Sequence, residues 1–190
     1  VETIGPKVGD ELKEDALLAV LIALGLVLIY ISIRFQWRFG ISAVVCLLHD
    51  VLAVVGVFSL FDKEFNLTII AALLTVVGYS LNDTIVVFDR VRENLAKFRK
   101  RETEELLDLS INETLSRTLL TSATTLFVVT MLLLFGGEII HDFAFALFVG
   151  ILVGTYSSIY VASPIFLLLQ EKAPPQPATP STTELTQESQ

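Results

Sequence analysis

The chain has 190 residues, of which 53% are hydrophobic, and its mean hydropathy is +0.70. This apolar content exceeds that of a soluble domain of the same length, so the composition predicts a membrane protein. The net charge of −8 leaves no broad basic surface that could bind phosphates, which argues against nucleic acid as a partner.

The chain begins with the polar segment VETIGPKVGDELKED, without an initiating Met. This segment is rich in turn-forming residues and resembles neither a signal sequence nor a membrane span. We therefore expect residues 1–14 to be the end of an extramembrane domain that belongs to a longer polypeptide.

Five apolar stretches follow in chain order, near residues 16–33, 39–61, 67–89, 114–135 and 143–169. A helix needs about 20 apolar residues to cross a hydrocarbon core of ~30 Å. The sequence therefore predicts an all-α polytopic membrane protein, in which residues 15–170 form a five-helix transmembrane bundle. The charged segment 90–113 contains no Gly or Pro and is expected to continue as helix.

Lys and Arg are concentrated at one end of the predicted spans. They follow the first span (Arg34, Arg38), the third (six residues from Arg90 to Arg101) and the fifth (Lys172). This asymmetry predicts that the N-terminus lies outside and the C-terminus lies in the cytoplasm. The tail, residues 171–190, combines Pro with Ser, Thr and Gln and is expected to be a disordered cytoplasmic segment.

Two spans have a polar face when they are drawn as helices. On the third span the polar arc covers roughly 140° and on the fourth about 120°. The third contributes Thr75, Gly78, Tyr79, Asn82, Asp83 and Asp89, and the fourth contributes Thr114, Arg117, Thr121, Thr124 and Thr125. Charged side chains are costly in lipid, so we expect Asp83 and Arg117 to face each other in the bundle interior.

This predicted pair has two interpretations. It could be a static ion pair that fixes how the helices pack. It could also be an ion-coupling site, because burial and a nearby cation act on the pKa of a carboxylate in opposite directions. Separating Asp83 from Arg117 would then switch the carboxylate between taking up and releasing a proton. Asn82, Tyr79, Thr121 and Thr124 would be supporting polar or relay residues in such a site.

Two further features lie in the second and fifth spans. Asp50 stands beside His49 near the middle of the second span, where it could extend a relay or only hydrogen-bond a neighbouring helix. In the fifth span, Gly150, Gly154 and Ser158 repeat every four residues and predict a face for close helix packing. Pro164 is expected to kink the last span near its end.

Several long motifs occur together in this chain. They are GYSLNDTIVVFDRVREN from residue 78, YISIRFQWRFG from residue 30, LLHD from residue 47, LSRTLLTSATT from residue 115 and GILVGTYSSIYVASP from residue 150. Over roughly residues 4–170 the chain resembles the SecD/SecF family of the bacterial and archaeal Sec protein-export machinery. The LND motif at 81–83 favours SecF over its paralogue SecD.

The resemblance implies a fold similar to the membrane domain of the RND superfamily, which includes multidrug exporters. Members have six helices, so this chain would lack the first helix and nearly all of the periplasmic domain. SecD, the SecYEG channel, a translocating preprotein and the lipid bilayer are the implied partners, in the bacterial or archaeal plasma (inner) membrane. The implied role couples a proton or sodium gradient to late translocation, with Asp83 and Arg117 as the ion-coupling residues and with no other cofactor and no metal.

Other functions remain as alternatives. Two intramembrane carboxylates, Asp50 and Asp83, also occur in aspartyl proteases of the membrane, but the GxGD motif of those enzymes is absent before Asp83. HExxH and GxSxG motifs are absent too, so the sequence predicts a transport component and not an enzyme. A small-molecule RND-type exporter and a structural scaffold with a static ion pair are the alternatives to protein export.

Overall fold

The computed structural model describes residues 6–34, 36–98 and 101–171. Within these ranges the chain forms six helices and no strand: α1 Pro6–Arg34, α2 Trp37–Leu60, α3 Leu67–Lys97, α4 Thr103–Phe135, α5 Gly137–Tyr160 and α6 Ala162–Glu171. Four helical stretches are long and apolar enough to cross a membrane, namely α2, α3, α4 and the α5–α6 stretch Gly137–Gln170. Helix α1 has a shorter apolar stretch, Leu18–Ile33. The predicted all-α membrane bundle is confirmed.

Two of the predicted segments lie at the ends of the chain. Helix α1 begins at Pro6, so most of the segment predicted as the end of a separate domain is helical, and residues 1–5 lie outside the described residues. Proline suits the first position of a helix because its missing N–H has no partner there in any case. The predicted disordered tail also lies outside the described residues, except for Glu171 in α6.

The segment predicted as helical, residues 90–113, is helical in two parts that belong to α3 and α4. Helix α3 ends at Lys97, where Phe98 leaves the helical conformation with φ −116° and ψ 58°. Helix α4 begins after Glu102, which has the extended conformation φ −65° and ψ 145°. Helices α3 and α4 pack against each other, so the chain must turn back here despite the local preference for helix.

The last predicted span is divided in two at Val161, between α5 and α6. Pro164 lies in the first turn of α6, where it cannot donate a hydrogen bond to the carbonyl of Tyr160. The break therefore lies three residues before the predicted kink residue. At its other end α5 begins with Gly137, whose φ of +73° is in the left-handed region that favours glycine.

Helices α3 and α5 form the centre of the bundle. Helix α3 packs against α1, α2, α4 and α5, and α5 packs against α2, α3, α4 and α6. An alanine Cβ at position 150 would overlap the Val76 side chain, and one at position 154 would lie 3.0 Å from Ser80 Cβ. The two glycines thus permit the close contact between α5 and α3.

The core has three layers along the helix axes. We call the end with Arg38, Arg90 and Lys97 the basic end, and the end with Asp62, Glu64 and Asp142 the acidic end. An apolar cluster near the basic end contains stacked or edge-on rings of Phe39, Phe88 and Phe166. A second apolar cluster near the acidic end contains Phe58, Ile69, Val76, Leu147 and Ile151. Between them lies a polar layer, which contains Asp50, Ser80, Asp83 and Ser122, all at most 3% exposed.

Candidate functional site: a buried carboxylate beside a polar cleft

Asp83 lies on α3 in the polar layer and is 2% exposed. Ser122 Oγ on α4 donates a long hydrogen bond of 3.4 Å to Asp83 Oδ2. Among the described residues, Asp83 Oδ1 accepts no hydrogen bond. A buried carboxylate normally accepts several hydrogen bonds, so Asp83 is held loosely.

Ser122 is the centre of a small hydroxyl network that joins three helices. Thr155 Oγ1 on α5 donates to Ser122 Oγ over 2.7 Å. Tyr79 Oη on α3 lies 3.5 Å from Ser122 Oγ and 3.4 Å from Thr125 Oγ1 on α4. The partner of Asp83 therefore depends on the relative positions of α3, α4 and α5.

Arg117 lies on α4 on the basic-end side of Ser122, and it is exposed. It is close enough to interact electrostatically with Asp83. Within the part of the chain that the structure describes, however, the two side chains form no ion pair within 4.0 Å. The sequence predicted that Arg117 faces Asp83 inside the bundle. The structure places Arg117 near Asp83 but outside the bundle interior.

A cleft of about 230 Å³ between α3 and α4 has Arg117 in its wall. Its other lining residues are mostly charged or polar: Val86, Asp89, Arg90, Glu93, Glu113 and Thr114. All of them lie on the basic-end side of Asp83. The cleft is therefore a polar surface between α3 and α4 on the basic-end side of the buried carboxylate, and Asp83 itself is not one of its lining residues.

A clasp of five polar side chains joins α3 and α4 beside this cleft. Arg90 donates to Glu113 and to Glu93, each over 2.6 Å. Asn94 donates to Ser110 and to Glu113, each over 2.9 Å. The Arg90 guanidinium, and after it the Asn94 amide, hold the pKa of Glu113 below its ordinary value because both donate to its carboxylate.

Asp50 occupies a different part of the polar layer. It is fully buried on α2, and Ser80 Oγ on α3 lies 2.5 Å from Asp50 Oδ2. The Nδ1 atom of His49 lies 3.1 Å from Asp50 Oδ1. Each oxygen of Asp50 therefore has a partner, whereas Asp83 has one long hydrogen bond to a single oxygen.

The remaining predicted relay residues lie apart from Asp83. Asn82 is exposed on α3. Thr121 donates to the carbonyls of Arg117 and Thr118, and Thr124 donates to those of Leu120 and Thr121, so both hydroxyls bond to their own helix. Of the predicted supporting residues, Tyr79 alone is connected to Asp83, through Ser122.

The sequence prediction missed Ser122 and Thr155. On the wheel of α4, Ser122 lies about 140° from Arg117, outside the polar arc that the wheel singles out. Thr155 is adjacent to Gly154, in a face that the sequence marks only for packing. The available signal was the hydroxyl-rich motif LSRTLLTSATT, but it does not say which hydroxyls turn inwards.

Comparison with known proteins agrees with this arrangement of helices. The family model described as "Protein export membrane protein SecD/SecF, C-terminal" matches residues 1–172. The protein translocase subunit SecF of Vibrio alginolyticus is 58% identical over 180 residues, which cover 93% of this chain and 57% of the relative. The protein translocase subunit SecDF of Thermus thermophilus is 51% identical over 178 residues, which cover 94% of this chain and 24% of the relative.

Solved structures of SecDF have the same fold. The crystal structure of SecDF from Thermus thermophilus matches 89% of this chain with a TM-score of 0.85 and 51% identity. A SecDF structure in the super-membrane-facing form matches 98% of the chain with a TM-score of 0.81 and 46% identity. The chain covers 24% and 23% of those two chains. It spans 57% of the length of the SecF relative from Vibrio alginolyticus.

Proposed function

The chain belongs to the SecD/SecF family of protein export membrane proteins, and from this premise we propose that it acts in an auxiliary SecF subunit of the Sec translocase. In this role it couples an ion gradient, of protons or sodium, to late steps of protein translocation across the membrane. Its relatives are named as translocase subunits, which agrees with a transport component.

SecD is the first partner in this proposal. The relative from Thermus thermophilus is named SecDF, which supports a close association of the two subunits. The exposed polar residues beside the α3–α4 contact, Asn82, Arg117, Thr121 and Thr124, favour cover by a partner helix over cover by lipid. The SecYEG channel and the translocating preprotein are further partners in the proposal.

One observation carries the proposed coupling. Asp83 is buried with a long hydrogen bond to a hydroxyl, while Arg117 lies nearby at a polar cleft and, among the described residues, forms no ion pair with Asp83. A carboxylate that can exchange between these two partners can change its ionisation when the helices move. One charge that crosses 100 mV is worth ~2.3 kcal/mol, enough to shift a conformational equilibrium.

The proposed orientation places the basic end in the cytoplasm of a bacterial or archaeal cell, following the distribution of Lys and Arg. The protein is then a multi-pass protein of the plasma membrane, with its N-terminal side outside. In this orientation the cleft beside Arg117 opens towards the cytoplasm. An ion released from Asp83 can leave through it.

The alternatives have less support. A static scaffold predicts a formed ion pair between Asp83 and Arg117, whereas Asp83 is bound to Ser122. An aspartyl protease needs two carboxylates that share one proton, whereas Asp50 and Asp83 bind different hydroxyls and share no hydrogen bond among the described residues.

The test is Asp83→Asn in the complete reading frame, co-produced with SecD. Protein export into inverted membrane vesicles is measured with and without an imposed ion gradient. The amide is nearly isosteric but cannot ionise, so we expect export to lose its dependence on the gradient while the complex still assembles. Asp108→Asn, an exposed carboxylate on α4, is the matched control and retains the dependence. Unchanged gradient dependence in Asp83→Asn would show that the carboxylate is structural.

A further inference from the structure

Thr155 has two hydrogen-bond acceptors within reach. Its Oγ1 atom lies 2.7 Å from Ser122 Oγ and 2.8 Å from the carbonyl oxygen of Ile151. A hydroxyl has one hydrogen and two lone pairs, so Thr155 donates to one of these atoms at a time. Whenever Thr155 donates to Ile151, its oxygen is free to accept a hydrogen bond from Ser122.

Ser122 also has two possible hydrogen-bond partners, Asp83 and Thr155. Its Oγ atom lies 3.4 Å from Asp83 Oδ2 and 2.7 Å from Thr155 Oγ1. It can accept from Thr155 and donate to Asp83, or accept from a protonated Asp83 and donate to Thr155. Both arrangements use the same atoms at the same distances.

The two arrangements match the two charge states of Asp83. When the carboxylate is ionised, Thr155 donates to Ser122 and Ser122 donates to Asp83. When the carboxyl is protonated, it donates to Ser122, Ser122 donates to Thr155, and Thr155 donates to the Ile151 carbonyl. The guanidinium of Arg117 has donors only, so it can stabilise the ionised form and not the neutral one.

We propose that Ser122 and Thr155 form a hydroxyl chain whose donor direction reverses with the charge of Asp83, which makes them positioning residues for both charge states. This inference rests on the proposed function, in which Asp83 exchanges an ion. It adds that α5, through Thr155, responds to whether Asp83 carries a proton. The hydroxyl chain then serves the neutral and the ionised carboxyl, whereas Arg117 serves the ionised form alone.

The other titratable groups around this chain lie on α2, α3 and α4. Tyr79 on α3 reaches Ser122, and Arg117 on α4 faces the cleft. The His49–Asp50 pair on α2 meets α3 through Ser80. Among the described side chains, α1 and α5 add no charged group to the layer.

The test measures protonation of Asp83 directly. In the purified SecD-paired protein, infrared difference spectra are recorded over a pH series, and the carboxyl C=O band that Asp83→Asn removes is assigned to Asp83. Ser122→Ala removes both the donor to the ionised carboxylate and the acceptor of the neutral carboxyl, and the bond to the ionised group is the stronger of the two. The midpoint of this band should therefore move to higher pH by about half a unit to one unit.

Thr155→Val should move the midpoint in the same direction by less. In that variant Ser122 still donates to the ionised carboxylate and loses only the hydrogen bond that it accepts from Thr155. Thr130→Ala is the matched control, because its hydroxyl donates to the Leu126 carbonyl in the same helix and does not take part in the chain. Its midpoint should equal that of the unsubstituted protein.

The outcomes separate this inference from the proposed function. If the Asp83 band titrates but neither Ser122→Ala nor Thr155→Val moves it, the hydroxyl chain is overturned and ion exchange at Asp83 stands. If no band assignable to Asp83 titrates at all, both the proposed function and the inference are overturned. Should Ser122→Ala fail to assemble with SecD, the Thr155→Val midpoint decides by itself.

Discussion

Asp50 and Asp83 are two buried carboxylates in one polar layer, and they differ in what surrounds them. Asp50 has partners at both oxygens, Ser80 and His49, and it lies away from the cleft. Asp83 has one long hydrogen bond and an arginine nearby at the wall of the cleft. Burial alone therefore does not separate the two carboxylates, whereas their hydrogen-bond partners and their positions relative to the cleft do.

Adjacent residues of α5 connect the two sites. Gly154 lies against Ser80, the partner of Asp50, and Thr155 donates to Ser122, the partner of Asp83. A small displacement of α5 along α3 would therefore alter the surroundings of both carboxylates. Substitutions in this shared helix should affect both carboxylates, and substitutions at either carboxylate should affect only one.

The largest effect is expected from Gly150→Ala, which acts on the α3–α5 contact that both sites share. The added methyl group would overlap the Val76 side chain, and overpacking of this kind lowers the free energy of unfolding by about 1–3 kcal/mol. Denaturant unfolding in detergent micelles measures the loss. Gly56→Ala, where nothing lies within 4 Å of the added Cβ, is the control. Equal stability of the two variants would contradict the close α3–α5 contact.

A smaller effect is expected from substitutions of Asp50, which test how Asp50 differs from Asp83. Asp50→Asn retains an oxygen that can accept from Ser80, so export should keep its gradient dependence in the vesicle assay that Asp83→Asn is expected to fail. Asp50→Ala leaves the Ser80 hydroxyl without its partner and should lower the free energy of unfolding by about 1 kcal/mol, because a serine hydroxyl in a helix can bond to a carbonyl of its own helix instead. Loss of gradient dependence in Asp50→Asn would make Asp50 part of the ion route and would end the distinction between the two sites.

The smallest effect is expected at the clasp beside the cleft. The pKa of Glu113 is lowered in the folded protein, so its contribution to stability is complete above the ordinary pKa of about 4.3 and is lost as the pH falls through the lowered value. Glu113→Gln should remove this acid-side dependence and leave stability at neutral pH almost unchanged. The free energy of unfolding, measured over a pH series from neutral to acid, shows this dependence, and Asp108→Asn is the control. A large loss at neutral pH would mean that the clasp holds the bundle together.

The sequence predicted the membrane bundle, but four of the ten span bounds lie six to eleven residues from the helix ends, because those helices extend beyond their apolar stretches. The α2 helix, Trp37–Leu60, agrees within two residues with the predicted span 39–61, because the length of an apolar run gives the length of the helix that it forms. The break at Phe98 was missed, since no Gly or Pro marks it and the need to reverse direction comes from the packing of α4 on α3. The roles of Asp83 and Arg117 in ion coupling stay predictions until the vesicle assay is made.

The sequence by itself determined that the chain lies in a membrane and that Asp83 is an unusual residue there. Both conclusions follow from the transfer free energy of each residue, which is a property of the side chain and adds along the chain. The tertiary structure alone decided that Ser122 and Thr155, and not Thr121 and Thr124, connect to Asp83. Hydrogen bonds are made or lost through differences of a few tenths of an ångström in the distances between atoms on three helices. No pattern within one helix contains those distances.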